Sequence, residues 1–192
     1  MEKVMSKTLE AFALTIVALI LLVATALGFM MGLDHPLPWI SLALLVGLGL
    51  LARRLAARRF LTWHDSYSVG IAVLDEDHKR LLNLINQLQT ASHYHTGDAY
   101  EQEALDALVD YTRGHFQREE ALMAQYDFPG LATHRQQHQA MIDEVGKLVA
   151  AYRQDRDATI ERAIRYLQTW LLNHIRGSDR EYTAFLNARG VH

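Results

Sequence analysis

Apolar residues follow two different patterns along this chain. Over residues 11–52 they run almost unbroken, with Asp34 as the single charged side chain, whereas from Arg53 onward they recur at helical spacing among frequent charges. Residues 11–32 carry no charge at all. At about 1.5 Å of rise per residue, that is enough helix to cross a hydrocarbon core of about 30 Å. The run beginning at Pro38 is shorter, but Leu55 and Ala56 extend its apolar face while Arg53 and Arg54 snorkel towards headgroups, which predicts a second span over 38–56. Asp34, Pro36 and Pro38 between them are turn residues, and so few of them permit only a tight hairpin.

The later pattern predicts four amphipathic helices. A non-helical arm follows Trp63. Asp75 then serves as N-cap for a helix over 76–94 whose apolar stripe is Leu81, Leu82, Ile85 and Leu88. Thr96-Gly97 ends it. Steps of three and four through Leu105, Leu108, Thr112 and Leu122 give a helix over 99–126, closed by Phe128-Pro129-Gly130. Two more helices are expected over 131–154 and 158–187. The fold class predicted is all-α: an antiparallel up-down four-helix bundle in residues 61–192, preceded by a two-helix transmembrane hairpin in residues 1–60.

Charge orients the hairpin. Lys3 and Lys7 precede the first span, Arg53, Arg54, Arg58 and Arg59 form a basic flank over 53–59, and the connecting loop has neither Lys nor Arg. The positive-inside rule then puts both termini and the bundle in the cytoplasm, on the inner membrane. Lys3, Lys7 and the small residues Ala24-Thr25-Ala26 also fit a cleavable signal peptide. The length of the apolar run, with Glu2 and Glu10 beside the lysines, fits an uncleaved anchor better.

Net charge is −3, and the basic residues outside the membrane flank are dispersed, so the lipid bilayer is an expected partner and nucleic acid is not. Cysteine is absent, which removes thiolate sites, iron–sulfur clusters and cysteine nucleophiles. Any metal must be held by His, Asp and Glu.

Residues of that kind interrupt the apolar stripes: His78 in the first bundle helix, His115 and Glu119 in the second, His134 and His138 in the third, His174 and Asp179 in the fourth. Each left unsatisfied in a core would cost roughly 1–3 kcal/mol. His115/Glu119 and His134/His138 are i,i+4 pairs and project from one helix face, where two side chains can grip one ion. The His-Glu-x-x-His motif of zinc proteases is missing. Imidazole mixed with carboxylate suits iron or manganese, and the number of donors suggests two ions. Two six-coordinate ions need about twelve bonds; five histidines, two bridging carboxylates and one bridging oxygen supply all but about one. One spacing is awkward. His174 and Asp179 are about 140° apart on an ideal helix, unless Gly177 between them permits a bulge. His35, His64, His93, His95 and His192 receive no role.

The arm and first bundle helix (WHDSYSVGIAVLDEDH), HFQRE at 115–119, HRQQH at 134–138 and HIRGSDREYTAFL at 174–186 together resemble hemerythrin, specifically its bacterial branch, over about residues 61–187. The resemblance implies a non-haem di-iron centre with an oxo or hydroxo bridge that binds O2 reversibly. His134, His138 and His174 would hold one iron, His78 and His115 the other, with Glu119 and Asp179 bridging. The open position falls on the second iron, and Leu81, Phe116, Trp170 and Leu171 match the family's apolar O2 pocket. The membrane hairpin is a departure from soluble oxygen carriers, as is the longer stretch between Asp75 and His115. The function expected is a membrane-tethered O2 carrier, not an enzyme, delivering to a membrane oxidase or oxygenase. An O2 or redox sensor, an iron-handling module or an O2-activating di-iron enzyme is the alternative. The chain runs only about five residues past the last predicted helix, which favours delivery over signalling.

Overall fold

The computed structural model describes all residues except 1, 58, 95, 96 and 153, and the side chains of all but these and 2–8, 10, 11, 56, 57, 157 and 158. Of the residues singled out above, Arg58, His95, Thr96 and the side chains of Glu2, Lys3, Lys7, Glu10 and Ala56 lie outside that set. The chain forms two compact units, Met1–Arg59 and Phe60–His192. No strand occurs among the described residues.

The first unit is a hairpin of α1 (Glu2–Met30) and α2 (Pro36–Ala57). Helix α2 starts two residues before Pro38. Pro36 takes the first helical position, where a missing N–H costs nothing, and His35 Nδ1 accepts the Leu37 N–H at 3.2 Å. Small and hydroxylated residues let the two helices approach. A Cβ at Gly28 would stand 2.8 Å from Pro38, and the Thr25 hydroxyl donates to Ser41 Oγ at 2.9 Å. The remaining faces are apolar and exposed, Leu19, Ile20, Leu44 and Leu50 among them. Phe12–Met30 and Pro36–Leu55 are long and apolar enough to cross a membrane.

In the second unit an arm with a 3-10 turn at Asp65–Tyr67 leads into α3 (Ala72–Tyr94), α4 (Asp98–Gln125), α5 (Leu131–Tyr152), α6 (Arg156–Arg176) and α7 (Ser178–Asn187). Helix α3 packs on α4 and α6, and α5 on the same two, which closes a four-helix bundle around Leu74, Leu81, Leu88, Leu108, Met141 and Leu167. Two boundaries differ from the sequence reading. Helix α3 begins at Ala72, so Asp75 lies within its first turn instead of capping it; its carboxylate accepts the Val69 N–H at 2.8 Å and the Ser68 hydroxyl, fastening the arm to the helix start. The single helix expected over 158–187 is two, broken at Gly177. The bundle's ends differ in character. Near the start of α4 the buried Glu101 carboxylate accepts from Tyr152 at 2.7 Å and Arg156 Nε at 2.8 Å, tying α4, α5 and α6 together. The opposite end holds the histidines.

Candidate metal centre

His78 from α3, His115 and Glu119 from α4, His134 and His138 from α5, His174 from α6 and Asp179 from α7 converge in one buried cage. Each carboxylate faces both halves of it. Glu119 Oε1 lies 3.5 Å from His115 Nε2 and 3.8 Å from His78 Nε2, while its Oε2 lies 3.3 Å from His138 Nε2 and 3.8 Å from His134 Nε2. Asp179 Oδ2 is 3.3 Å from His78 Nε2, and Oδ1 is 3.1 Å from His174 Nε2 and 3.7 Å from His134 Nε2. Donor atoms of Glu119, His134, His138 and His174 lie within 4.8 Å of one another, as do those of His78, His115 and Glu119.

The break at Gly177 puts Asp179 within reach of His174. The Gly177 N–H is shared between the carbonyls of Asn173, at 2.9 Å, and His174, at 3.2 Å, and with ψ at −88° the backbone leaves the helical path before α7 restarts. The turn removes the 140° mismatch that a continuous helix would impose.

Hydrogen bonding leaves the cage incomplete. Glu119 Oε2, His134 Nε2, both oxygens of Asp179 and both ring nitrogens of His78 are buried without a hydrogen-bond partner among the described residues. His138 Nε2 and His174 Nε2 face each other at 3.1 Å, although two ring nitrogens can share at most one proton. Donor atoms that converge yet leave one another unsatisfied fit metal cations held between them. The electrostatics agree. Burial opposes charge on His78, but Asp179 and Glu119 outweigh it and raise its pKa to about 9. Burial would also raise both carboxylates, yet His115, His134 and His138 hold Glu119 well below its ordinary value, and His174 and His78 lower Asp179. Two carboxylates kept ionised in a core call for compensating positive charge.

Three polar partners were not visible in the sequence pattern. Asp77 accepts from Arg118 Nε at 2.7 Å, Arg118 Nη2 at 2.9 Å and the Tyr111 hydroxyl at 2.7 Å, and its Oδ2 lies 3.3 Å from His115 Nδ1. Glu120 Oε1 stands 3.0 Å from His138 Nδ1, while its Oε2 accepts from Arg135 Nε at 3.0 Å. Tyr182, fully buried on α7, donates its hydroxyl to Glu119 Oε1; burial and the neighbouring anions push its pKa well above the ordinary value. Asp77 and Glu120 directly adjoin His78 and Glu119 in the sequence, the one signal that could have flagged them.

Leu81, Phe116, Trp170 and Leu171 line a single apolar cavity, together with Ile85 and Thr112. The two aromatic rings have a further role. Phe116 stacks on His138 with centroids 3.6 Å apart, and Trp170 on His174 at 4.2 Å, so both brace the half of the cage opposite His78.

Residues 69–186 match the family described as Hemerythrin HHE cation binding domain. A bacteriohemerythrin of Stenotrophomonas maltophilia is 35% identical over 122 residues, covering 64% of this chain and 78% of its own length. A hemerythrin-like protein of Naegleria fowleri is 32% identical over 124 residues, covering 65% of this chain and 92% of its own. A solved wild-type hemerythrin superposes with a TM-score of 0.58 at 25% identity, over 65% of this chain and 95% of that one. Since the matched stretch exceeds half of the chain and contains every side chain of the cage, the chain belongs to the hemerythrin family, and its domain is one that binds a di-iron centre.

Proposed function

We propose that the chain is a membrane-tethered, reversible O2 carrier. His134, His138 and His174 would hold one iron and His78 and His115 the other, with Glu119 and Asp179 offering a carboxylate oxygen to each. The observation that carries this reading is the orientation of both carboxylates, each with one oxygen towards either group of imidazoles. The bound irons supply the electrons that reversible O2 binding needs. The protein's own part is placement and exclusion. Tyr182 fixes one oxygen of Glu119, Phe116 and Trp170 hold imidazole planes, and Leu81 and Leu171 keep the adjoining cavity apolar and short of water and protons. Hemerythrins are O2 carriers or sensors rather than enzymes, and no turnover is expected here. Residues 1–60 serve as the anchor and 61–192 as the cytoplasmic O2-binding domain, which keeps O2 close to a membrane oxidase or oxygenase. The test is iron analysis with optical spectra through cycles of air and vacuum. Two irons per chain and full restoration of the deoxy spectrum are expected; zinc in place of iron, or irreversible bleaching, would refute the carrier.

Sensing is the second reading, favoured by the arm. Arg176 donates to the Tyr67 hydroxyl at 3.1 Å, Arg180 to the Ser66 carbonyl and Asn187 to the Val69 carbonyl at 3.2 Å, so the arm grips the segment that carries His174, Gly177 and Asp179. A sensor would change hydrogen exchange in residues 60–71 between the deoxy and oxygenated forms, whereas a carrier would not.

A further inference from the structure

Behind each half of the cage stands a carboxylate that meets a cage imidazole at the nitrogen not facing Glu119. Asp77 reaches from α3 to His115 on α4, and Glu120 from α4 to His138 on α5; in each pair the carboxylate meets Nδ1 while Nε2 faces Glu119. In each, an arginine also holds the carboxylate: Arg118 bonds both oxygens of Asp77, including the one that faces His115, and Arg135 bonds the Glu120 oxygen that does not face His138. The two differ in rigidity. Asp77 is buried and receives Arg118 through two nitrogens as well as the Tyr111 hydroxyl, whereas Glu120 is partly exposed and receives one arginine nitrogen. A surface ion pair alone would need neither the burial of Asp77 nor its approach to His115.

We infer that Asp77 is a positioning residue for the iron bound by His78 and His115, fixing the His115 ring through Nδ1 and strengthening its donor nitrogen, with Glu120 doing the same more weakly for His138. This rests on the di-iron reading above. An imidazole that donates its Nδ1 proton to a carboxylate presents an unprotonated Nε2 in fixed orientation and is the more basic ligand for it; loss of such partners typically costs about 10–100-fold in metal affinity. The half with two histidines depends on each of them more than the half with three. Its partner carboxylate is the one with more donors.

The experiment compares full-length wild-type protein with Asp77→Asn, Arg118→Gln and Glu120→Gln. Stepwise Fe(II) affinities are measured by competition with a chelator, and midpoint potentials of the loaded proteins by spectroelectrochemical titration. In Asp77→Asn one of the two irons is expected to bind about 10–100-fold more weakly, and the potential to rise, because a less basic imidazole stabilises ferric iron less. Arg118→Gln keeps the carboxylate but removes its two-pronged anchor from a half-exposed position, and supplies the answer should Asp77→Asn fail to fold; it is expected to move both quantities the same way by a smaller amount. Glu120→Gln should perturb iron binding less than Asp77→Asn. General loosening of the bundle would lower stability without moving the potential. If the wild type binds two irons while Asp77→Asn, or Arg118→Gln in its place, keeps wild-type affinities and potential, the inference fails and the di-iron reading stands. Fewer than two irons in the wild type would overturn both.

Discussion

At the residue scale, the behaviour of the cage follows from which groups compete for its charge. Asp179 and Glu119 raise the His78 pKa from its ordinary value near 6.5 to about 9, so between those pH values the metal-free fold retains a proton that a free imidazole would lose. The sign is that of a raised pKa: the proton's contribution to stability is complete below pH 6.5 and disappears as pH climbs through about 9. Because iron needs the unprotonated nitrogen, Fe(II) loading between pH 7 and 8 is expected to release protons, about one of them from His78. Calorimetric titration in buffers of different ionisation enthalpy measures that release. Identical heats in all buffers would show that no proton leaves. A second prediction concerns Leu171, buried beside Trp170 in the cavity next to the cage. Leu171→Ala is expected to cost roughly 2–5 kcal/mol, as a core truncation, and to accelerate autoxidation of the oxygenated form, because the shortened side chain admits water and protons. Leu148→Ala is the comparison, since Leu148 is equally buried but lines a different cavity of the bundle. Stopped-flow decay of the oxygenated band at equal rates in both variants would assign the loss of O2 to general loosening.

At the scale of elements, one glycine joins two helices into a single ligand-bearing unit. A Cβ at position 177 would meet the Asn173 carbonyl at 3.1 Å, tighter than ordinary contact, while the same atom at Gly146 on α5 would meet nothing within 4 Å. Gly177→Ala is therefore expected to favour continuation of α6 and swing Asp179 away from His174, lowering iron content. Gly146→Ala should keep both irons and stabilise α5 by about 0.5–1 kcal/mol. Iron-to-protein ratios after purification decide it, and full iron in Gly177→Ala would mean that α7 holds Asp179 in place without the break. The same joint marks how far the sequence could be read. Apolar periodicity revealed the bundle helices and set His115 with Glu119, and His134 with His138, on shared faces, because a regular helix propagates phase from residue to residue. It could not pair His174 with Asp179, where phase is reset and only Gly177 between them pointed to a bulge, or show that Asp75 lies within α3, since hydrogen bonds from Ser68 and Val69 decide that position. Asp77 and Glu120 stayed hidden because each sits about 100° around its helix from its neighbour in the cage, on a flank where periodicity expects solvent. The stacking of Phe116 and Trp170 on His138 and His174 is a tertiary fact, absent from any local pattern.

For the whole molecule, the question is what the apolar hairpin does with its surface. Leu9, Phe12, Leu14, Leu19 and Ile20 on α1 and Ile40, Leu44, Leu50 and Leu51 on α2 are at least half exposed, a continuous apolar display that water would not tolerate. Among the described residues of the second unit, Val73, Tyr94 and Tyr100 are the large apolar side chains that are exposed. The full chain is therefore expected in the membrane fraction and to need detergent. The proposed orientation rests on the basic residues. Arg53 and Arg54 lie near the end of α2 and Arg58 and Arg59 come after it in the sequence, Lys3 and Lys7 precede the first apolar run, and the loop between the helices has no Lys or Arg, so transfer of either end would carry cations across the bilayer at a few kcal/mol each. Reporters fused before Met1 and after His192 are both expected to be active on the cytoplasmic side, and a cysteine placed at Asp34 to react with an impermeant reagent from outside. Replacing the four arginines with glutamine and inserting lysines beside Asp34 should weaken or invert that preference, because the bias depends on the difference between loop and flank. An exported C-terminal reporter in the unmodified chain would put the O2-binding domain on the opposite side of the membrane and remove the cytoplasmic carrier.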